Sequence, residues 1–302
     1  MEQKRGTLAR VGITLLNVPA PGLGLLRVGH WKLAAASYGV GLLLVILMFS
    51  APPLSFVLFA AAIVLGLAAY PVSMATTWLL GRSIHPLLPW YARWYSIVGA
   101  TLLSFGVNYL LSDESQVRYR SFFTPAEAMA PSLPTGDRIL AYMRSPKELR
   151  RGDILLVRAP GGSIYVKRLT GLPGDEIAVT NGVVMINGKP VSQQRVGTGT
   201  ITGYEGPKVV QRLREQFPGE AGSHEIYDDG DSMGDHFGPQ RVQIGHVFLL
   251  GDNRDHAADS RFSIEEMGLE QLPVTDILGW PMYHSFGSSR PIGEAINRRN
   301  MR

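Results

Sequence analysis

The chain has 302 residues and a mass of 33.0 kDa, enough for two domains or for one domain and a membrane-embedded region. It is 45% hydrophobic and 18% charged with a mean hydropathy of +0.07, which excludes a disordered chain and leans away from a purely soluble globule. It has no cysteine, so disulfide scaffolds, thiolate zinc sites, iron–sulfur clusters and cysteine nucleophiles are excluded, and its net charge of +4 suits an anionic membrane surface but is too small to point to nucleic acid.

Residues 11–26, with Pro19, Pro21, Gly22 and Gly24, read as a bent apolar segment at a membrane interface. No Asp, Glu, Lys or Arg occurs from Leu33 to Gly81, nor from Trp94 to Ser112. A helix crosses a bilayer with roughly 20 apolar residues at a rise of ~1.5 Å each. Ala51-Pro52-Pro53 divides the first stretch, because proline ends a helix and disfavours helix in the residue before it. Three spans are therefore expected, about Leu33–Ser50, Leu54–Leu80 and Trp94–Leu111. Lys4, Arg5, Arg10, Arg27 and Lys32 precede the first span, and Arg82 and Arg93 separate the second from the third. By the positive-inside rule both segments are cytoplasmic, and everything after Asp113 lies across the membrane. Trp78, Trp90, Tyr91, Trp94 and Tyr95 fall where an interfacial aromatic belt belongs.

The expected organisation is thus a membrane region over 1–112, with about three transmembrane helices, and a second domain over 113–302. In the second domain, short apolar runs at Arg138–Tyr142, Asp153–Val157, Ile164–Leu169, Glu176–Val179, Val183–Ile186 and His246–Leu250 are separated by turn residues. Asn181-Gly182 and Asn187-Gly188 mark tight turns, the first of them a two-residue hairpin. Pro207–Gln216 and Ser263–Glu270 carry the best helical period, and a surface insertion is expected over about 203–239. Strands without alternating long helices predict a mainly antiparallel β domain.

Four stretches of this domain carry chemistry. The first is Thr124-Pro125-Ala126-Glu127-Ala128-Met129-Ala130-Pro131-Ser132-Leu133-Pro134-Thr135-Gly136-Asp137-Arg138. Arg151-Gly152-Asp153-Ile154-Leu155 and Tyr165-Val166-Lys167-Arg168-Leu169-Thr170-Gly171-Leu172-Pro173-Gly174-Asp175 follow. The last is Gly251-Asp252-Asn253-Arg254-Asp255-His256-Ala257-Ala258-Asp259-Ser260-Arg261. In order, spacing and position after a membrane anchor they resemble bacterial signal peptidase I, over roughly Phe122 to Gly279. The preceding apolar region is not covered by that resemblance.

The resemblance implies a serine/lysine dyad that removes signal peptides from exported preproteins, usually after small residues, with no cofactor and no metal. Lys167 matches the lysine that acts as general base. An ordinary lysine near pKa 10.4 is a poor base at neutral pH, so that role requires desolvation. The nucleophile position is occupied by Ala128, whose methyl group cannot attack a carbonyl. The oxyanion position two residues earlier is Ala126, and the lysine-orienting position of the last motif is Ala257. Met129, Asp252, Arg254, Asp259 and Arg261 are expected to support the site, with Asp259 and Arg261 as an ion pair. Met129 and its apolar neighbours would also suit contact with the membrane surface. Ser132 and the Ser232-Met233 pair lie outside the nucleophile's place in the motif, and displacement by several ångströms defeats in-line attack.

Three methyl groups where hydroxyls belong fit decay after loss of the chemistry better than a single inactivating change. In another serine protease, loss of the nucleophile costs about a million-fold in turnover. The expectation is a non-cleaving or strongly impaired homologue that binds signal peptides at the bacterial inner membrane, multi-pass, with its C-terminal domain periplasmic. Its implied partners are signal peptides and the lipid bilayer, not nucleic acid or metal. The alternative is an active signal peptidase I, or an engineered Ser-to-Ala form of one, cutting after Ala-x-Ala.

Overall fold

A chain that stays uncharged over long stretches can form helices apolar on every side, whereas short β-branched runs between turns form sheets. The computed structural model describes residues 6–50, 56–82, 89–111, 119–203, 206–220, 222–286 and 290–297, and divides into two units, Met1–Val117 and Arg118–Arg302. The Ala51-Pro52-Pro53 turn, Leu54, Lys4, Arg5 and the boundary expected at 112–113 lie outside the described residues.

The first unit is helical: α1 (Thr7–Leu15), α2 (Leu23–Arg27), α3 (Trp31–Ser50), α4 (Phe56–Leu80) and α5 (Trp94–Leu111). Among the described residues one helix, α4, is long and apolar enough to cross a membrane, with a mean hydropathy of 2.2 over its best window. The apolar parts of the other two, Trp31–Ile46 and Trp94–Val107, are shorter. Residues 11–26 bend as expected, but fold into parts of α1 and α2 joined by a turn. A buried amide fixes that turn: Asn17 donates to Thr77 Oγ1 at 3.0 Å, and its Oδ1 accepts from Gly22 N at 2.9 Å and Ser73 Oγ at 2.8 Å. Gly22 has φ +100°, and a Cβ there would stand 2.5 Å from the Ala34 carbonyl oxygen, so both conformation and space demand glycine.

The second unit is built of β strands, with short 3-10 turns at Met233–Asp235 and Val274–Asp276. Its strands are β1 (Tyr119–Phe123), β2 (Arg138–Tyr142), β3 (Ile154–Arg158), β4 (Ile164–Gly171), β5 (Glu176–Thr180), β6 (Val183–Ile186), β7 (Lys189–Pro190), β8 (Ser192–Gly203), β9 (Gly206–Gln216), β10 (His224–Asp228), β11 (His236–Arg241), β12 (His246–Leu250), β13 (Leu272–Pro273) and β14 (Ile277–Phe286). They form sheets in the orders β1-β2-β14-β3-β4-β12-β13, β10-β9-β8 and β11-β5-β6-β7. Every ladder between these strands is antiparallel. Asn181 (φ 50°) and Gly182 (φ 75°) close a two-residue hairpin, and Asn187 (φ 52°) and Gly188 (φ 73°) close the next, both with the positive φ values that such loops require.

The run His246–Leu250 is continuously apolar after its first residue because both faces of β12 are covered. Val247 and Leu249 join a core with Leu155, Leu169 and Trp280, while Phe248 and Leu250 join another with Ile177, Val184 and Phe217. The helical period over Pro207–Gln216 is overturned: these residues belong to β9, paired with both β8 and β10. Pairing on both sides satisfies the backbone, and tertiary contact overrides a weak local preference. Ser263–Glu270 is likewise a run of turns rather than a helix.

Candidate active site

Alternation along β4 places Lys167 on the face of Leu169, and Arg168 on the opposite face with Val166. Lys167 is 2% exposed. Burial pulls its amine down from 10.5 to about 8; Asp259 opposes that shift, Arg261 adds to it, and Asp252 opposes it. The amine stands 5.7 Å from the centre of the Tyr165 ring, and makes no ion pair or hydrogen bond to any hydroxyl among the described residues.

Gly251 marks the point on which the groups converge. A Cβ built there would lie 2.2 Å from the Ala257 methyl, 2.6 Å from the Ala128 carbonyl oxygen and 3.6 Å from Lys167 Nζ. Only a residue without a side chain lets the methyl, the carbonyl and the amine meet. The Ala128 carbonyl is held by the backbone N–H of Asn253 at 3.2 Å. Ala257 is buried, whereas Ala126 is exposed. Neither alternative serine hydroxyl is engaged with the amine. Ser132 Oγ accepts from Arg168 Nη2 at 3.0 Å, and Ser232 Oγ accepts from the Gly234 N–H at 3.2 Å to cap a short turn.

Three buried ion pairs brace this point. Arg168 grips Asp252 through Nε at 2.7 Å and Nη2 at 2.6 Å. Burial alone would raise the Asp252 carboxyl, but the Arg168 charge outweighs it and holds the group below the usual carboxylate range. Arg261 donates to Asp259 through Nε at 3.0 Å and Nη2 at 2.9 Å, while Asp259 also accepts from Gly251 N at 3.0 Å. The expected pairing of Asp259 with Arg261 is therefore present. Arg254 donates to the Gly251 carbonyl at 3.1 Å and clamps both oxygens of Glu215. Glu215 accepts in addition from His224 Nε2 at 3.1 Å, and the His224 ring reaches Glu220 at 2.9 Å on its other side. Burial opposes ionisation of Glu215, yet Arg254 and His224 together pull its carboxyl well below its ordinary value.

Met129 is 4% exposed and packs with Leu133, Ile139 and Ile154, so it anchors its loop in the core and is not free to touch a membrane surface. The sequence reading missed Arg168 and Glu215. Arg168 was visible as a charge in an otherwise apolar strand, next to the singled-out lysine. Glu215 had no signal, because its strand lies in the segment read as an insertion with helical period.

Beside the amine, β4 has an open edge: among the described residues Ile164–Lys167 pairs with β3 on one side, whereas on the other β12 pairs only within residues 168–171. An unpaired strand edge is a template for an extended peptide.

The family described as signal peptidase, peptidase S26 matches residues 96–281. Signal peptidase I of Bacillus licheniformis is 30% identical over 146 residues, 47% of this chain and 66% of that protein. Signal peptidase I of Pseudomonas fluorescens is 31% identical over 182 residues, 52% of this chain and 61% of the relative. That of Rickettsia conorii is 36% identical over 129 residues, 39% and 46% respectively, so the chain spans less than two thirds of each of these relatives. With the matched region taking in the buried lysine, its bracing ion pairs and the open edge of β4, the chain belongs to the signal peptidase, peptidase S26, family.

Proposed function

We propose that this protein holds the signal peptides of exported preproteins in a groove of the signal peptidase I type and does not cut them. The observation that carries this reading is the surroundings of the Lys167 amine: a methyl group at Ala257, a methyl-bearing residue at Ala128, and, among the described residues, no hydroxyl bonded to the amine. Attack on a peptide carbonyl needs a nucleophile within reach of its base. Binding needs neither, since the edge of β4 can pair with an extended peptide through main-chain hydrogen bonds. In this reading α3, α4 and α5 cross a bacterial inner membrane as about three spans and the β domain lies on the periplasmic side. The absence of charge from Leu33 to Gly81 and from Trp94 to Leu111, and the cationic residues flanking these stretches, support that placement.

The test is a purified full-length chain in detergent, mixed with a preprotein carrying Ala-x-Ala before its cleavage position. Binding without cleavage is expected, and robust cleavage at low protein concentration overturns the reading. A specific observation favours a second reading, a peptidase lacking only its hydroxyl: the amine still sits near pKa 8, in the range of a working base. Ala128→Ser separates the two. Little recovered cleavage supports the decayed site, because Ala257 cannot orient the amine; rates like those of an active relative support the second reading.

A further inference from the structure

The charges around Gly251 do not balance. Arg168 is neutralised by Asp252, Arg261 by Asp259 and Arg254 by Glu215, each through paired hydrogen bonds in a buried setting. Among the described residues of this cluster, Lys167 is the one cation with no carboxylate in contact. A buried ammonium without a counter-charge is costly, and the expense falls when an anion arrives. Asp252, Asp259 and Glu215 do not supply the missing contact, since each is already held by its own arginine. A second unsatisfied group sits in the same loop: Asn253 is fully buried, and neither the nitrogen nor the oxygen of its carboxamide is hydrogen-bonded among the described residues. Its backbone N–H holds the Ala128 carbonyl at 3.2 Å.

Resting on the proposed peptide-binding role, we infer that the groove takes an extended peptide ending in a small residue with a free carboxylate, paired to the Lys167 ammonium, in preference to an uncut chain. An uncut precursor brings a neutral carbonyl to this point, whereas a cut peptide brings a full negative charge. The strand edge at Ile164–Lys167 runs up to the lysine, so a peptide paired along it can end at the amine. The groups facing the amine are Asp259, Arg261 and Asp252 together with the Tyr165 ring, and with their partners they sum to no net charge apart from the lysine itself. At pH 7 an amine of pKa about 8 carries its proton in about nine molecules of ten, so the ammonium is available to the ligand.

The test compares two N-terminally labelled peptides ending in Ala-x-Ala, one a free acid and one an amide, by fluorescence anisotropy on the detergent-solubilised full chain. The acid should bind at least about tenfold more tightly than the amide at pH 7, as expected for a charge-assisted contact in a buried site. Its advantage should shrink as pH rises above 8, with the amide's affinity unchanged. Lys167→Met should abolish the difference between acid and amide, with a circular dichroism spectrum matching the parent's to certify that the variant is folded; a variant that still prefers the acid would overturn the inference. Acetate at millimolar concentration should not displace the acid peptide; full displacement would overturn the inference by making this a small-carboxylate site. Equal affinities for acid and amide at pH 7 would overturn the inference and leave the peptide-binding role standing. Binding of neither peptide would remove that role and the inference with it, and cutting of a preprotein would remove only its non-cleaving part.

Discussion

Lys167→Met should make the folded protein more stable at neutral pH, an unusual outcome for loss of a buried side chain at a functional site. The lysine's fall from 10.5 to about 8 corresponds, at about 1.4 kcal/mol per pH unit, to about 3 kcal/mol of native-state destabilisation. The group is almost fully buried, so solvent screening does not reduce that figure much. The lost contact between the amine and the Tyr165 ring, worth about 1 kcal/mol, trims the gain without reversing it. The folded state binds this proton more weakly than the unfolded state, so the penalty is full below pH 8 and fades as pH rises towards 10.5. Urea denaturation of the full chain in detergent, followed by proteolysis of the β domain, gives the difference between variant and parent. A gain of about 2 to 3 kcal/mol at pH 7 that disappears by pH 10.5 is expected. A variant less stable than the parent at pH 7, or a difference independent of pH, would show that the amine is not held in a desolvated, uncompensated state.

Glu215→Gln leaves the Arg254 guanidinium buried without its counter-charge and should cost about 3 to 5 kcal/mol, read as a fall in the urea midpoint; a change under about 1 kcal/mol would mean that the clamp is not closed in solution. Because Glu215 and Asp252 are both held below their ordinary values of 4.5 and 3.8, their stabilisation is present above those values and lost as pH falls through and below them. Acid titration followed by near-ultraviolet circular dichroism should therefore show unfolding beginning below about pH 4.5. A transition that stays flat to pH 2.5 would count against these pairs as pH-dependent supports.

Much of the β domain was legible in the chain. Arg138–Tyr142 and Val183–Ile186 are strands at the expected bounds, because alternating or continuous apolar residues ended by asparagine, glycine or proline leave little alternative. Ser192–Gly203 was not legible: it is polar and glycine-rich, and becomes a strand through its long ladder with β9. Ile277–Phe286 was hidden as well, since Gly279 and Pro281 argue against a strand; there the ladders to β2 and β3 are irregular beside both residues. The membrane region was legible as apolar stretches, but the turn at residues 16–22 depends on Asn17 meeting Ser73 and Thr77, more than 50 positions away.

At the site, local chemistry alone determined that residue 128 carries no hydroxyl, that residue 167 is a lysine in an apolar strand, and that Asp259 and Arg261 sit close enough in the chain to pair. Folding decided the rest. Whether a lysine is a solvated cation or a depressed amine depends on what surrounds it, and here Gly251, Ala257 and Ala128 are brought to it from two distant loops. Glu215 becomes the partner of Arg254 in the same way, across 39 positions of chain. A side chain's identity is carried by the residue itself, but its charge state and its partners come from desolvation and distance, which exist only after the strands have assembled.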